Sequence, residues 1–253
     1  MTVNSNLMKA ILAMDAYNRG YGAGIDLRPR DSNGNLVLNP DGTIKQSDAA
    51  GTKLGNALVY ASKGDTAAQT VGFYGIAYNY GGETVISYRG TDNPLGLNGD
   101  FINGWVIAAG ATSFNQVQLA FQFYQSVANS AYFANGNWAA PQVAISLTGH
   151  SLGGGLAGLV GATYAKSGVL FDNMPFELAA HNVQVGNVIK SLVYGTSLPG
   201  PLDFTRLSTE YINGEALQTL RGLQTDTQVK PGYDLGNNVN LPDSLGVDEH
   251  SMS

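Results

Sequence analysis

One serine stands where a nucleophile is needed, in Gly149-His150-Ser151-Leu152-Gly153. The apolar run Val143-Ala144-Ile145-Ser146-Leu147-Thr148 precedes it and reads as a buried strand. The run Gly154-Gly155-Leu156-Ala157-Gly158-Leu159-Val160-Gly161-Ala162 follows and reads as a buried helix. Strand, Gly-x-Ser-x-Gly, helix is the context of a nucleophile elbow. The serine must sit on a strained turn so that its hydroxyl stands clear of the sheet. Gly149 and Gly153 leave room for strand and helix to approach closely. The N–H of Leu152 then lies at a helix N-terminus, where it can stabilise an oxyanion. The pentapeptide alone says little in a chain with 33 glycines; its flanks carry the reading. The competing reading is a Gly-rich turn ahead of a core helix.

Such a serine needs a base, and the base an orienting acid. The chain has three histidines. His150 adjoins Ser151, and its side chain should point away from the nucleophile, packing or hydrogen bonding beside the elbow. His181 follows an expected strand. His250 lies far downstream, and the order serine, acid, histidine makes it the expected base. The acid comes from Asp172, Glu177, Asp203, Glu210, Glu215, Asp226, Asp234, Asp243 or Asp248. Functional groups of open α/β sheets sit beyond the carboxyl ends of strands. Glu215, just after an expected strand at 207–212, meets that rule. Asp203, before the same strand, is the alternative, and Glu210 falls inside the strand. Each is otherwise a solvated surface carboxylate.

The elements that must hold these groups are legible in outline. Leu7, Met8, Ile11, Leu12 and Met14 have near-helical spacing, so residues 7–17 read as an amphipathic opening helix, with capping candidates at 4–6. Residues 31–44 carry two turn signals around a short apolar run and read as a small hairpin or surface excursion. Their Asp and Asn residues also admit a calcium loop, without EF-hand spacing. Residues 73–80 alternate, Gly81-Gly82 is a hairpin turn, and 84–88 is the returning strand. Helices are expected at 117–127 and 182–194, and a further strand at 174–179. Strands alternating with helices predict an α/β fold with a mostly parallel central sheet, covered on both faces.

At 253 residues one α/β domain accounts for the chain, and 43% apolar residues fill its core. Charged residues make up 13% and the net charge is −6, which argues against a nucleic-acid surface. Cysteine is absent, so neither disulfides nor thiolate metal sites are expected. The start, Met1-Thr2-Val3-Asn4-Ser5-Asn6, has no basic region followed by an apolar core, and no stretch approaches the roughly 20 apolar residues of a membrane span. The chain ends soon after His250, which reads as truncation from a longer chain.

Val85-Ile86-Ser87-Tyr88-Arg89-Gly90-Thr91, with Gly149-His150-Ser151-Leu152-Gly153-Gly154 downstream, resembles the class 3, fungal-lipase-type family of the α/β-hydrolase fold. The resemblance covers roughly residues 70–165. It implies that Thr91 supplies one oxyanion N–H, and its hydroxyl, with Leu152 supplying the other. It places the family's lid at residues 94–110, where Phe101, Ile102, Trp105, Val106 and Ile107 cluster; a core helix is the equal alternative. The region after Met174 lacks the family's Gly-x-Pro-Arg-Val-Gly-Asn segment, and the acid is not in Asp-x-Val-Pro context. The tail Glu249-His250-Ser251-Met252 is similar to that of bacterial members exported without a cleaved signal, which implies an extracellular protein.

The expected activity is therefore that of a serine carboxylic-ester hydrolase, a lipase, esterase or phospholipase A1. Ser151, His250 and Glu215 form the triad, Thr91 and Leu152 the oxyanion hole, and the substrate is a lipid or other ester, met at a lipid–water interface. No cofactor is expected apart from a structural calcium. An acyltransferase with the same triad and a non-catalytic lipid-binding module are the competing classes.

Overall fold

The computed structural model describes residues 5–18, 31–38, 40, 42, 51–90, 114–134, 144–181, 201–211 and 228–229. The chain opens with α1 (Ser5–Asp15), continued by a 3-10 turn at Ala16–Asn18. An antiparallel meander follows: β1 (Lys53–Leu54), β2 (Ala57–Lys63), β3 (Gly75–Tyr80) and β4 (Glu83–Tyr88), with α2 (Thr66–Thr70) between β2 and β3. Its connections explain its direction. Gly81 and Gly82, with φ of 60° and 85°, join β3 to β4. Two left-handed residues form the tight turn that matches strand twist. A link that short cannot cross over to a parallel strand.

From β4 onward the sheet is parallel. β5 (Ile145–His150), β6 (Ser167–Phe171), β7 (Leu207–Glu210) and β8 (Gln228–Val229) follow one another in chain order. The helices between them are α3 (Phe114–Ala134), α4 (Leu152–Tyr164) and the short α5 (Glu177–Ala180). The expectation of a mostly parallel sheet thus holds only for the second half. The expected strand at 174–179 is also corrected. The strand lies at β6, and 177–180 is helical. β6 is a short, centrally buried run without alternation. Pro175 has no N–H for a ladder, and Phe176 instead packs against α4.

Both faces of the sheet are covered, as β4 shows by its alternation. Val85 joins Met8 and Leu12 of α1 and Ala16 of the 3-10 turn in one apolar cluster. Ile86 and Tyr88 join Phe121, Phe123 and Leu156 of α3 and α4 in the other. On the α1 face, in register with Val85, β4 and β5 carry the buried residues Ser87, Ser146 and Thr148. These small side chains let α1 approach the strands. The Thr148 hydroxyl, which donates to the Val169 carbonyl at 2.8 Å, also lies 3.3 Å from the Lys9 carbonyl, and Lys9 Nζ pairs with Glu83 at 3.3 Å. Asn6, a capping candidate by sequence, instead donates its side-chain amide to Glu210 Oε1 at 2.7 Å. Asp15, at the end of α1, accepts from the Tyr78 hydroxyl at 2.6 Å in a buried bond. Each of these links fixes α1 to a different strand, from β3 to β7.

Candidate active site

Ser151 lies between the last residue of β5 and the first of α4. Its backbone is at φ 53°, ψ −125°, a region that side-chain-bearing residues rarely occupy. Holding it there costs on the order of 1–3 kcal/mol. The surroundings fix it. The Ser151 N–H donates to the Phe171 carbonyl at 3.1 Å, and its own carbonyl accepts from Gly155 at 3.1 Å and Met174 at 2.9 Å. Its side chain makes no capping bond to α4, although serine is a favoured cap. The elbow expected from sequence is thus present as backbone geometry. In one respect the structure differs from it: Ser151 is 5% exposed, so the turn that carries it is enclosed.

Glycines make the turn possible. A Cβ on Gly149 would stand 2.5 Å from the carbonyl of Gly153, and one on Gly153 2.0 Å from the carbonyl oxygen of Tyr88. β5, α4 and the end of β4 therefore touch backbone to backbone around Ser151. Leu152, the first residue of α4, is 4% exposed. Its N–H belongs to the first helical turn, which has no intrahelical acceptor and carries the positive end of the helix dipole. The sequence expects an oxyanion donor at such a first-turn position.

His150 closes β5 and is buried. Its Nδ1 lies 2.8 Å from the Tyr17 hydroxyl, with the two rings edge to face at 5.6 Å. This is the hydrogen-bonded neighbour of the elbow that its position predicts. His181 follows α5, and its ring lies 5.6 Å from that of Phe204, ahead of β7. That is the amino side of the parallel strands, whereas Ser151 is on the carboxyl side.

The carboxylates separate in the same way. Asp203 accepts from the Thr205 N–H and hydroxyl at 3.0 and 2.6 Å and from Arg206 Nε at 3.1 Å. The Thr205 hydroxyl and N–H, with Arg206 behind them, hold its carboxyl below the ordinary range. The Asp203 N–H donates to Ala162, near the far end of α4. A helix rise of about 1.5 Å per residue puts that point roughly 15 Å from Ser151. Glu210 is instead the buried last residue of β7, in register with Phe171 and, through it, with His150. Thr91, Glu215, His250 and the segment 94–110 lie outside the described residues. Among the described residues no group of three His, Cys, Asp or Glu side chains is arranged to hold a metal ion. Asp31, the head of the candidate calcium loop, accepts from the N–H groups of Asn33 and Asn35 at 2.8 and 2.9 Å.

Sequence reasoning missed Tyr17. It appeared only as the end of a helical pattern, and a lone tyrosine carries no spacing signal.

The strand end at β4, the elbow and α4 are the parts that a family comparison recognises. Residues 85–188 match the family model of class 3 lipases. No curated protein matches the chain. The class 3 lipase match begins in β4 and runs past α5, further along the chain than the sequence resemblance reached. It implies the α/β-hydrolase fold, with which the mixed sheet and its two helical layers agree, and it points to ester hydrolysis in general, with a lipid ester as the substrate class. No helix among the described residues is long and apolar enough to cross a membrane.

Proposed function

We propose that the chain is a serine carboxylic-ester hydrolase acting on lipid esters, and that Ser151, His250 and Glu215 are its triad. The observation that carries this reading is the conformation of Ser151: a strained, non-glycine residue at a strand–helix junction, enforced by backbone contacts on three sides. Strain of this kind gathers where a side chain must be aimed.

In the proposed reaction His250 takes the Ser151 hydroxyl proton as Oγ attacks the ester carbonyl carbon. The carbonyl oxygen becomes an oxyanion between the N–H groups of Leu152 and Thr91. Collapse expels the alcohol, which leaves with the proton from His250. Water, deprotonated by the same histidine, then attacks the acyl-serine and releases the acid. Glu215 orients the imidazole and stabilises its charged form. The location of Asp203, beside the far end of α4, favours Glu215 over it.

The test is labelling with a fluorophosphonate, followed by peptide mapping, alongside turnover of p-nitrophenyl esters of graded chain length and of a diacyl phospholipid. Label on Ser151 with ester turnover is expected, and release of the sn-1 fatty acid from the phospholipid marks phospholipase A1 activity. A folded protein that neither takes label at Ser151 nor cleaves any ester overturns the proposal. Ester product formed mainly with an added alcohol replaces hydrolysis with acyl transfer.

A further inference from the structure

The β4–β5 ladder ends at the pair Tyr88 and Gly149. Beyond it one strand becomes the elbow, and the other leads through Arg89 and Gly90 into the segment expected to carry the second oxyanion donor. Tyr17 reaches both. Its hydroxyl lies 2.8 Å from His150 Nδ1. A Cβ on Gly90 would stand 2.1 Å from that hydroxyl, 2.7 Å from the His150 carbonyl oxygen and 3.2 Å from Ser151 Cβ. The phenol oxygen thus occupies the space that any side chain at position 90 would need, directly beside the nucleophile's own Cβ.

We propose that Tyr17 is a positioning residue of this site, setting the distance between the Ser151 elbow and the Gly90 exit of β4. The inference rests on the ester-hydrolase reading. Tyr17 is well placed to hold a fixed distance. It stands in the 3-10 turn directly after Asp15, whose carboxylate is fixed by Tyr78, and next to Ala16, which is fully buried. The helix before it is fixed to the sheet through Asn6, Lys9 and Asp15. The phenol is therefore a rigid side-chain spacer that adds to the backbone contact of Gly153 with Tyr88 and Arg89 past the end of the ladder. Oxyanion donors act only within about 2.7–3.1 Å of the developing charge. A misplacement of about 1 Å costs on the order of 10²-fold in rate. A residue that fixes the separation of the two donor-bearing chains acts on the transition state and leaves ground-state binding largely alone.

The experiment is steady-state ester hydrolysis by Tyr17→Phe and His150→Gln, which cut the same bond from either side, with rates divided by the number of sites titrated with a phosphonate. A fall of about 10- to 100-fold in kcat per titrated site, with KM within about twofold, is expected for each. The double variant should be no worse than the poorer single one. A purely structural role would lower the number of titrated sites or the melting temperature and leave kcat per site intact; that result overturns the proposal, and so does a change confined to KM. If one variant does not fold, the other decides alone. Wild-type protein that takes no label and cleaves no ester removes the ester-hydrolase reading and this inference with it, whereas normal labelling and turnover in both variants removes only the inference.

Discussion

Gly149 and Gly153 face each other across the elbow so closely that a Cβ on the first would lie 2.5 Å from the carbonyl carbon and oxygen of the second. The obstacle is backbone, which cannot rotate aside. Gly149→Ala should cost about 1–3 kcal/mol, the range for overpacking a tight interior. For a chain of this size that lowers Tm by roughly 2–12 °C. Thermal unfolding followed by circular dichroism reads the change, and an unchanged Tm would show that the elbow is looser than described.

Ser151 offers a test in which stability and activity move in opposite directions. Its φ of 53° suits glycine better than any residue with a side chain. Ser151→Gly should raise stability by about 0.5–1 kcal/mol while turnover vanishes, and Ser151→Ala should lose turnover at near wild-type stability. A Ser151→Gly protein less stable than Ser151→Ala contradicts the strain argument.

The two distant histidines carry opposite predictions. His181 rests against Phe204 on the amino side of the strands. His181→Ala should leave ester turnover within about twofold, whereas His250→Ala should be about as damaging as loss of Ser151, since triad members act as a unit. Equal damage from both would show that His181 has reached the site.

For the acid, Glu215→Gln should reduce turnover by up to about 10⁴-fold, by analogy with an amide in a serine protease triad. Asp203→Asn should spare turnover and act on stability instead. Hydrogen bonds from Thr205 depress the Asp203 carboxyl. Its contribution is therefore present above the unfolded value of about 3.9 and is lost as pH falls through the lower folded value. Chemical denaturation of wild type and Asp203→Asn should differ at pH 7, and the gap should shrink as the pH falls below the ordinary carboxylate range. A gap that stays constant across that range refutes the assignment of the shift to the folded state.

What sequence could reveal followed from whether the signal was local. The Gly81-Gly82 turn, the opening helix and the glycines around Ser151 are read correctly because turn chemistry, helical period and close approach each leave a mark within a few residues. β6 is not legible because its central residues Gly168, Val169 and Leu170 are buried in succession and leave no alternation to show. The antiparallel pairing of β3 and β4 is legible in the Gly81-Gly82 turn, whereas β1 and β2 are not among the expected elements. Tyr17 and His150 are 133 residues apart in sequence, and nothing in the neighbourhood of either announces the other. Glu210 reads in sequence as a residue within a strand, yet being last in that strand brings it to the carboxyl edge.

That separation has a consequence for how the protein is made. The meander of β1 to β4 pairs near neighbours and can form as soon as it leaves the ribosome. α1 cannot dock when it emerges, because its apolar partners Val59, Ile76, Tyr78 and Val85 follow in the meander and Thr148 follows later still. At a synthesis rate of about 5–20 residues per second the opening helix waits on the order of ten seconds for its partners. Its exposed Leu7 and Ile11, together with Met8 and Leu12, which later become buried, are then an undocked apolar stripe on a nascent chain. That stripe is a natural target for a chaperone until the meander arrives to receive it.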